Sequence, residues 1–172
     1  MRNLLSCDIV ADYFLIHVDA QAGDTISNLK LQKLCYYAQA WSLALDGKPL
    51  FGERIEAWAH GPAIPPLYRR FKKYGWQAID PTAITTDPVR DLHADHKALL
   101  DDVWERYGSF NGTQLEHLTH RERPWIDARG GTPPGENCTA EITHESMRAF
   151  YRRQLKSADG SNTKAAGSRA AR

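Results

Sequence analysis

Residues 27–46, SNLKLQKLCYYAQAWSLALD, constrain the fold more than any other stretch. Leu31, Leu34, Cys35, Ala38, Trp41 and Leu45 recur at helical spacing and make one apolar stripe. Leu29, Tyr36, Ala40 and Leu43 make a second stripe on another face. A helix that is apolar on two faces has to be covered on two sides. The spacing therefore predicts a central helix with the rest of the chain packed around it. Gly47 can close that helix as a left-handed C-terminal residue. Lys30 and Lys33 fall on a polar seam near its start.

The rest of the chain offers covers for such a helix. A chain of 172 residues is long enough for one domain with a real core and too short for two ordinary ones. Ser6 can cap a first helix carrying Ile9, Val10, Tyr13 and Phe14. Residues 50–60 alternate Ile55, Ala57 and Ala59 with Glu56, Trp58 and His60, which predicts a short strand or hairpin. A helix over 66–74 follows, closed by Gly75. Asp87-Pro88 opens another, whose stripe from Val89 through Leu92, His96, Leu99, Leu100, Val103 and Tyr107 reaches Gly108. Asn111 can cap a short helix to Leu118, Pro124 can open one that ends at Gly130, and Thr143 can cap the last, with Ile142 and Met147 placed for a hydrophobic staple. The segment 157–172, SADGSNTKAAGSRAAR, has no bulky apolar residue and is expected to be a disordered tail. The expected architecture is mainly α: a compact single-domain helical bundle over 1–156 around the helix 27–46, with a small β element near 50–60.

Composition narrows the chemistry. The formal net charge is +1, so no whole-molecule field draws nucleic acid or an anionic membrane. Cys7, Cys35 and Cys138 are odd in number and lack the close pairing of a zinc or redox motif, which fits a reducing compartment. No run of about 18 apolar residues is present, so a cytoplasmic protein is expected. Two HxxH pairs, His93 with His96 and His117 with His120, could converge on a metal from one helix face. Neither has the glutamate of a metalloprotease helix, and His96 sits on an apolar stripe. HGPAIPP has one glycine and is no phosphate-cradling loop. A metal-dependent enzyme using the histidines therefore stands as a rival reading without a convincing catalytic group, and no cofactor is expected.

The segment EAWAHGPAIPPLYRRFKKYG, residues 56–75, ends in a basic helix. Its helical wheel is expected to gather Leu67, Tyr68, Phe71 and Tyr74 on one face and Arg69, Arg70, Lys72 and Lys73 on the other. The cationic side reads either as a solvated face or as a docking patch for an acidic partner or a phosphate backbone.

Three blocks resemble the Panacea domain family, the SocA-like antitoxins. The first is residues 27–41, where Leu29, Lys30, Leu31, Gln32, Lys33, Leu34, Tyr36, Tyr37 and Trp41 match and Cys35 replaces a leucine. The second is an A-W-x-x-G-P-V-x-P-x-L-Y pattern met by Ala57, Trp58, Gly61, Pro62, Pro65, Leu67 and Tyr68, with Ala63 for valine. The third is L-x-x-L-T-H-x-x-x-P-W, met by Leu115, Leu118, Thr119, His120, Pro124 and Trp125. The resemblance covers about residues 4–155.

It implies a non-catalytic antitoxin of a bacterial or phage system that neutralises a cognate toxin encoded nearby, by direct protein contact. It also implies an alternative, a proteolytic adaptor that delivers the toxin to a ClpXP-type protease. Nucleic acid and membrane are not expected as partners. Leu31, Leu34, Trp41, Trp58, Gly61, Pro62, Tyr68, Thr119, Pro124 and Trp125 are expected to be structural. Lys30, Lys33, Arg69, Arg70, Lys73 and His120 are the candidates for partner contact, because stability seldom demands such side chains.

Overall fold

A computed structural model describes residues 3–167, with side chains through residue 158. The helices α1 (Cys7–Ile16) and α2 (Asn28–Asp46) come first, then the hairpin strands β1 (Glu56–Trp58) and β2 (Gly61–Ala63). Six helices follow: α3 (Pro65–Phe71), α4 (Pro88–Asp91), α5 (Ala94–Tyr107), α6 (Gly112–Thr119), α7 (Arg123–Arg129) and α8 (His144–Gly167). The mainly helical class with one small β element is what the sequence predicts. No helix among the described residues is long and apolar enough to cross a membrane.

Helix α2 is the axis of the molecule. Ser27 caps its start through Lys30 N, and Gly47, at φ 71°, closes its end. Sixteen of its nineteen residues are buried, so it is enclosed on every side rather than on two. Helices α1, α3, α5, α6 and α8 and strand β2 pack around it. Its polar side chains are therefore inside and need partners. Gln39 supplies the clearest case. Its Oε1 accepts from Leu50 N and Phe51 N, and its Nε2 donates to Phe51 O, which fixes the chain leaving the helix.

The hairpin pairs Glu56 with Ala63, Ala57 with Pro62 and Trp58 with Gly61, antiparallel. The other edge of β1 is occupied too, since Ala57 N donates to Ala140 O and Ile142 N to Ile55 O. Ile142 and Met147 are buried on either side of the α8 start, and Thr143 Oγ1 accepts from Ser146 N, as the sequence predicts for that terminus.

Three expectations change. The single helix over 87–108 is two, because Leu92 is extended at ψ 132°, turns inward and is buried. Val89, placed on the core stripe by periodicity, is left 62% exposed. The helix after Pro65 ends at Phe71 and continues only as a 3-10 turn, Lys72–Tyr74. Within the segment 157–172, α8 extends to Gly167, and 168–172 lie outside the described residues.

Arg70 departs most from expectation. It stands three residues after Leu67 and beside Phe71, on the apolar face of α3, where helical spacing puts it. Its guanidinium donates to Asp8, to the fully buried Asp12 and to Ala83 O. The other Asp12 oxygen accepts from Thr85 N, Thr86 N and Thr86 Oγ1. One ion pair thus ties α1, α3 and the 83–86 loop together. Asp12→Ala removes the fully buried carboxylate of this pair, leaves the half-buried Arg70 with only the more exposed Asp8, and strands Thr85 N and Thr86 N, so it is expected to cost about 3 kcal/mol in urea unfolding. Arg69→Glu, at an exposed site on the same helix, is expected to stay within about 0.5 kcal/mol. Equal effects from the two changes would refute the assignment.

Candidate functional site

A pocket of about 450 Å³ opens between the start of α2, the hairpin, α3 with its 3-10 turn, and the 137–139 loop. The first two motif blocks build it. Asn28, Gln32 and Lys33 come from α2, and Trp58, Gly61 and Tyr68 from the hairpin and α3. Trp58 meets Tyr68 edge to face at 4.9 Å. Trp76, 70% exposed, stands at the rim with its ring 5.3 Å from that of His60.

The α2 wall holds the hairpin by hydrogen bonds. Gln32 Oε1 accepts from Ile64 N at 2.8 Å, and its Nε2 donates to Asn28 Oδ1. Asn28 Nδ2 in turn donates to Tyr68 O, the carbonyl of the helix that follows. Lys33 Nζ donates to Pro62 O at 3.1 Å and is 1% exposed. Burial lowers the Lys33 ammonium to about 7, with Glu116 opposing.

The third block braces the pocket from behind. Trp125 Nε1 donates to Trp58 O at 2.8 Å. Thr119 is buried against Gly61, where an added Cβ would lie 2.9 Å from Thr119 Oγ1 and 2.6 Å from Lys33 Cε. Arg129 donates to Ala57 O, Pro133 O and Glu136 O, so one buried guanidinium holds β1 and the next loop. His120 stacks on Trp125 at 4.0 Å, burial lowers its pKa, and its Nε2 makes no hydrogen bond.

These positions redistribute the expected contact residues. Lys33 is inside, and Lys30 is 7% exposed with Nζ bonded to Gly108 O and placed over the Trp104 ring. With α2 enclosed all round, no polar seam stays at the surface. Arg70 is internal as described. Arg69 and Lys73 are exposed, and His120 is half-buried. Among the residues read as structural, Leu31, Leu34, Trp41, Thr119, Pro124 and Trp125 are buried. Gly61 and Pro62 are buried in the hairpin, whereas Trp58 and Tyr68 are half-buried and face the pocket instead of the core.

Sequence reasoning passed over Asn28, Arg129 and Glu122. Asn28 and Gln32 had a readable signal, two amides one turn apart on a helix otherwise apolar. Glu122, an unspecified position of the third block, is buried under Tyr37 and Tyr151, whose hydroxyls both donate to it. Tyr37 stacks on Tyr107 at 3.9 Å, and Tyr107 Oη accepts from Trp41 Nε1. The histidine pairs do not converge. His93 stands at the N-cap position of α5 without a side-chain capping bond and His96 is buried, with ring centroids 6.0 Å apart, and His117 is exposed while His120 is stacked. Among the described residues no three His, Cys, Asp or Glu side chains gather into a metal-holding group.

Two measurements test this construction. Gly61 has φ +97°, a region side chains avoid, and no space for a Cβ. Gly61→Ala is expected to lose about 1–3 kcal/mol of stability in denaturant, and a neutral result would contradict the packing of Lys33 against it. Burial raises Glu122 from 4.5 to about 7, against the lowering by Tyr151, Tyr37 and Arg106. The folded state then holds a proton that the unfolded state has released. The stability this group contributes is full below pH 4.5 and lost as pH rises through about 7. Glu122→Gln, which resembles the protonated form, is expected to melt near wild type at low pH. At alkaline pH it should gain up to about 3 kcal/mol relative to wild type. A difference independent of pH would show that Glu122 is not so perturbed.

The sequence profile of the family described as Antitoxin SocA-like, Panacea domain matches residues 31–126. The chain is 35% identical over 121 residues to Antitoxin SocA of Caulobacter vibrioides (strain NA1000 / CB15N), a match covering 65% of this chain and 63% of that protein. The chain thus spans less than two thirds of the length of that relative. No solved structure matches. The profile covers the buried length of α2 from Leu31, the hairpin with Thr119 and Trp125 that brace it, and the third block. This chain therefore belongs to the Antitoxin SocA-like, Panacea domain family.

Proposed function

We propose that this protein is the antitoxin of a bacterial or phage toxin–antitoxin system. It binds a cognate toxin encoded nearby and neutralises it by direct contact in the cytoplasm. The role is non-catalytic: recognition is by shape, apolar surface and charge. The observation that carries the reading is the convergence of three family blocks on one open, aromatic-walled pocket. A stability role alone accounts for the buried side of those blocks. It does not account for Trp58 and Tyr68 turned to an open cavity. Pockets with aromatic walls and few polar groups are sites of recognition.

Co-expression with the product of the neighbouring gene is expected to restore growth that this product alone arrests. Purified together, the two proteins are expected to elute as one complex. If no adjacent gene product is toxic, or none is rescued, the reading fails. The same experiment in cells with and without the ClpXP-type protease separates the adaptor alternative. Direct neutralisation is expected to persist without the protease at constant toxin level. Rescue that disappears with the protease, with toxin accumulating, would assign the adaptor role instead.

A further inference from the structure

The pocket has a composition that selects its occupant. Its walls are the rings of Trp58, Tyr68 and Trp76. Its charged lining residues are Lys33 and Lys72, and no carboxylate lines it among the described residues. The nearby Glu116 is engaged with His60 at 3.0 Å. In its protonated form, which an incoming anion would favour, Lys33 Nζ has three N–H donors, and among the described residues its hydrogen-bond acceptor is one carbonyl, that of Pro62. A buried ammonium with spare donors beside a cavity favours an incoming acceptor, above all an anionic one. Trp76 adds a large exposed ring that the core does not use. Aromatic rings around a desolvated charge are the features of an interface anchor point.

We propose that this pocket docks the toxin through a segment in which an aromatic or aliphatic side chain stands next to a carboxylate. The inference rests on the antitoxin reading above. The apolar side chain fills the space between Trp58 and Trp76. The carboxylate accepts from Lys33 at the inner wall and from Lys72 at the exposed side. A volume of about 450 Å³ suits one large side chain with its flanking backbone. The exposed Arg69 and Lys73 lie outside the lining and steer the approach of an acidic surface.

The test uses the full chain and the neighbouring toxin whose effect it suppresses. Trp76→Ala and Lys72→Glu alter exposed side chains, so their thermal melts are expected to match wild type. Each is expected to weaken toxin binding at least about tenfold by calorimetry and to weaken rescue. Lys33→Met is expected to weaken binding as well, and if it does not fold, Lys72→Glu carries the charge test. Overlapping short peptides of the toxin then locate the segment. Those that bind are expected to carry a carboxylate beside an apolar residue and to slow reaction of Cys138 with a thiol reagent. Cys138 lines the pocket and is half-exposed, whereas Cys7 and Cys35 are buried. Wild type failing to rescue from any neighbouring product removes the antitoxin reading and this inference with it. Rescue and affinity intact in both Trp76→Ala and Lys72→Glu overturns the pocket alone. Bound peptides without a carboxylate, or Cys138 reacting as fast with peptide as without, overturns the stated chemistry.

Discussion

The enclosure of α2 sets the terms for the rest of the structure. A helix covered on one side can send its polar residues to water. This one cannot, and six of its polar side chains, Asn28, Lys30, Gln32, Lys33, Gln39 and Ser42, are buried. Each unsatisfied buried group would cost about 1–3 kcal/mol, so each has to find an acceptor or donor in the chain that covers it. Apart from the Gln32–Asn28 bond within the helix, the partners found are mainly backbone groups: Tyr68 O, Gly108 O, Ile64 N, Pro62 O, Phe51 O, Leu50 N and Lys48 O. The apolar stripes decide that the cover exists. The polar side chains decide where its backbone runs.

That arrangement explains why the pocket walls are held so firmly. Strand β1 pairs with β2 on one edge and with residues 140–142 on the other. Trp125 and Arg129 take the carbonyls of Trp58 and Ala57. The Asp12–Arg70 pair fixes α3 from the far side. Trp58 and Tyr68 are therefore presented by a backbone with little freedom to rearrange. A preorganised site loses less entropy on binding than one that must order itself. The rim, with Trp76, Lys72 and His60, is the part left to solvent.

Helices were legible wherever a cap and a stripe agreed. Ser6, Ser27 and Asn111 accept from the helix N-termini that follow them, and Gly47 and Gly130 stop helices with positive φ. The hairpin was legible in place and small size. The break at Leu92 was not, because periodicity alone cannot distinguish one helix from two that share a stripe. The buried charges were the least legible. Lys33 and Lys30 bond carbonyls 29 and 78 positions away, and Arg70 reaches Asp12 across 58. Only the fold brings such partners together. For Arg70 a local signal did exist, since Leu67, Arg70, Phe71 and Tyr74 follow the i, i+3, i+4, i+7 spacing of one face.

The division of the basic residues between inside and outside decides what a charge change can report. Replacing Arg70 or Lys30 disturbs contacts that hold α1, α3, α5 and the loops together, so a lost activity in such a variant measures folding first. Residues 69, 72 and 73 carry the same charge on the same segment, are exposed, and make none of the buried contacts described for Arg70. A cluster that looks uniform in sequence is thus two populations with different physics. The buried member is fixed by desolvation and pairing, which vary little with salt. The exposed members act through a screened field with a reach of about 10 Å. Salt dependence of partner binding consequently belongs to the exposed group, and it can be read without disturbing the ion pair on which α3 rests.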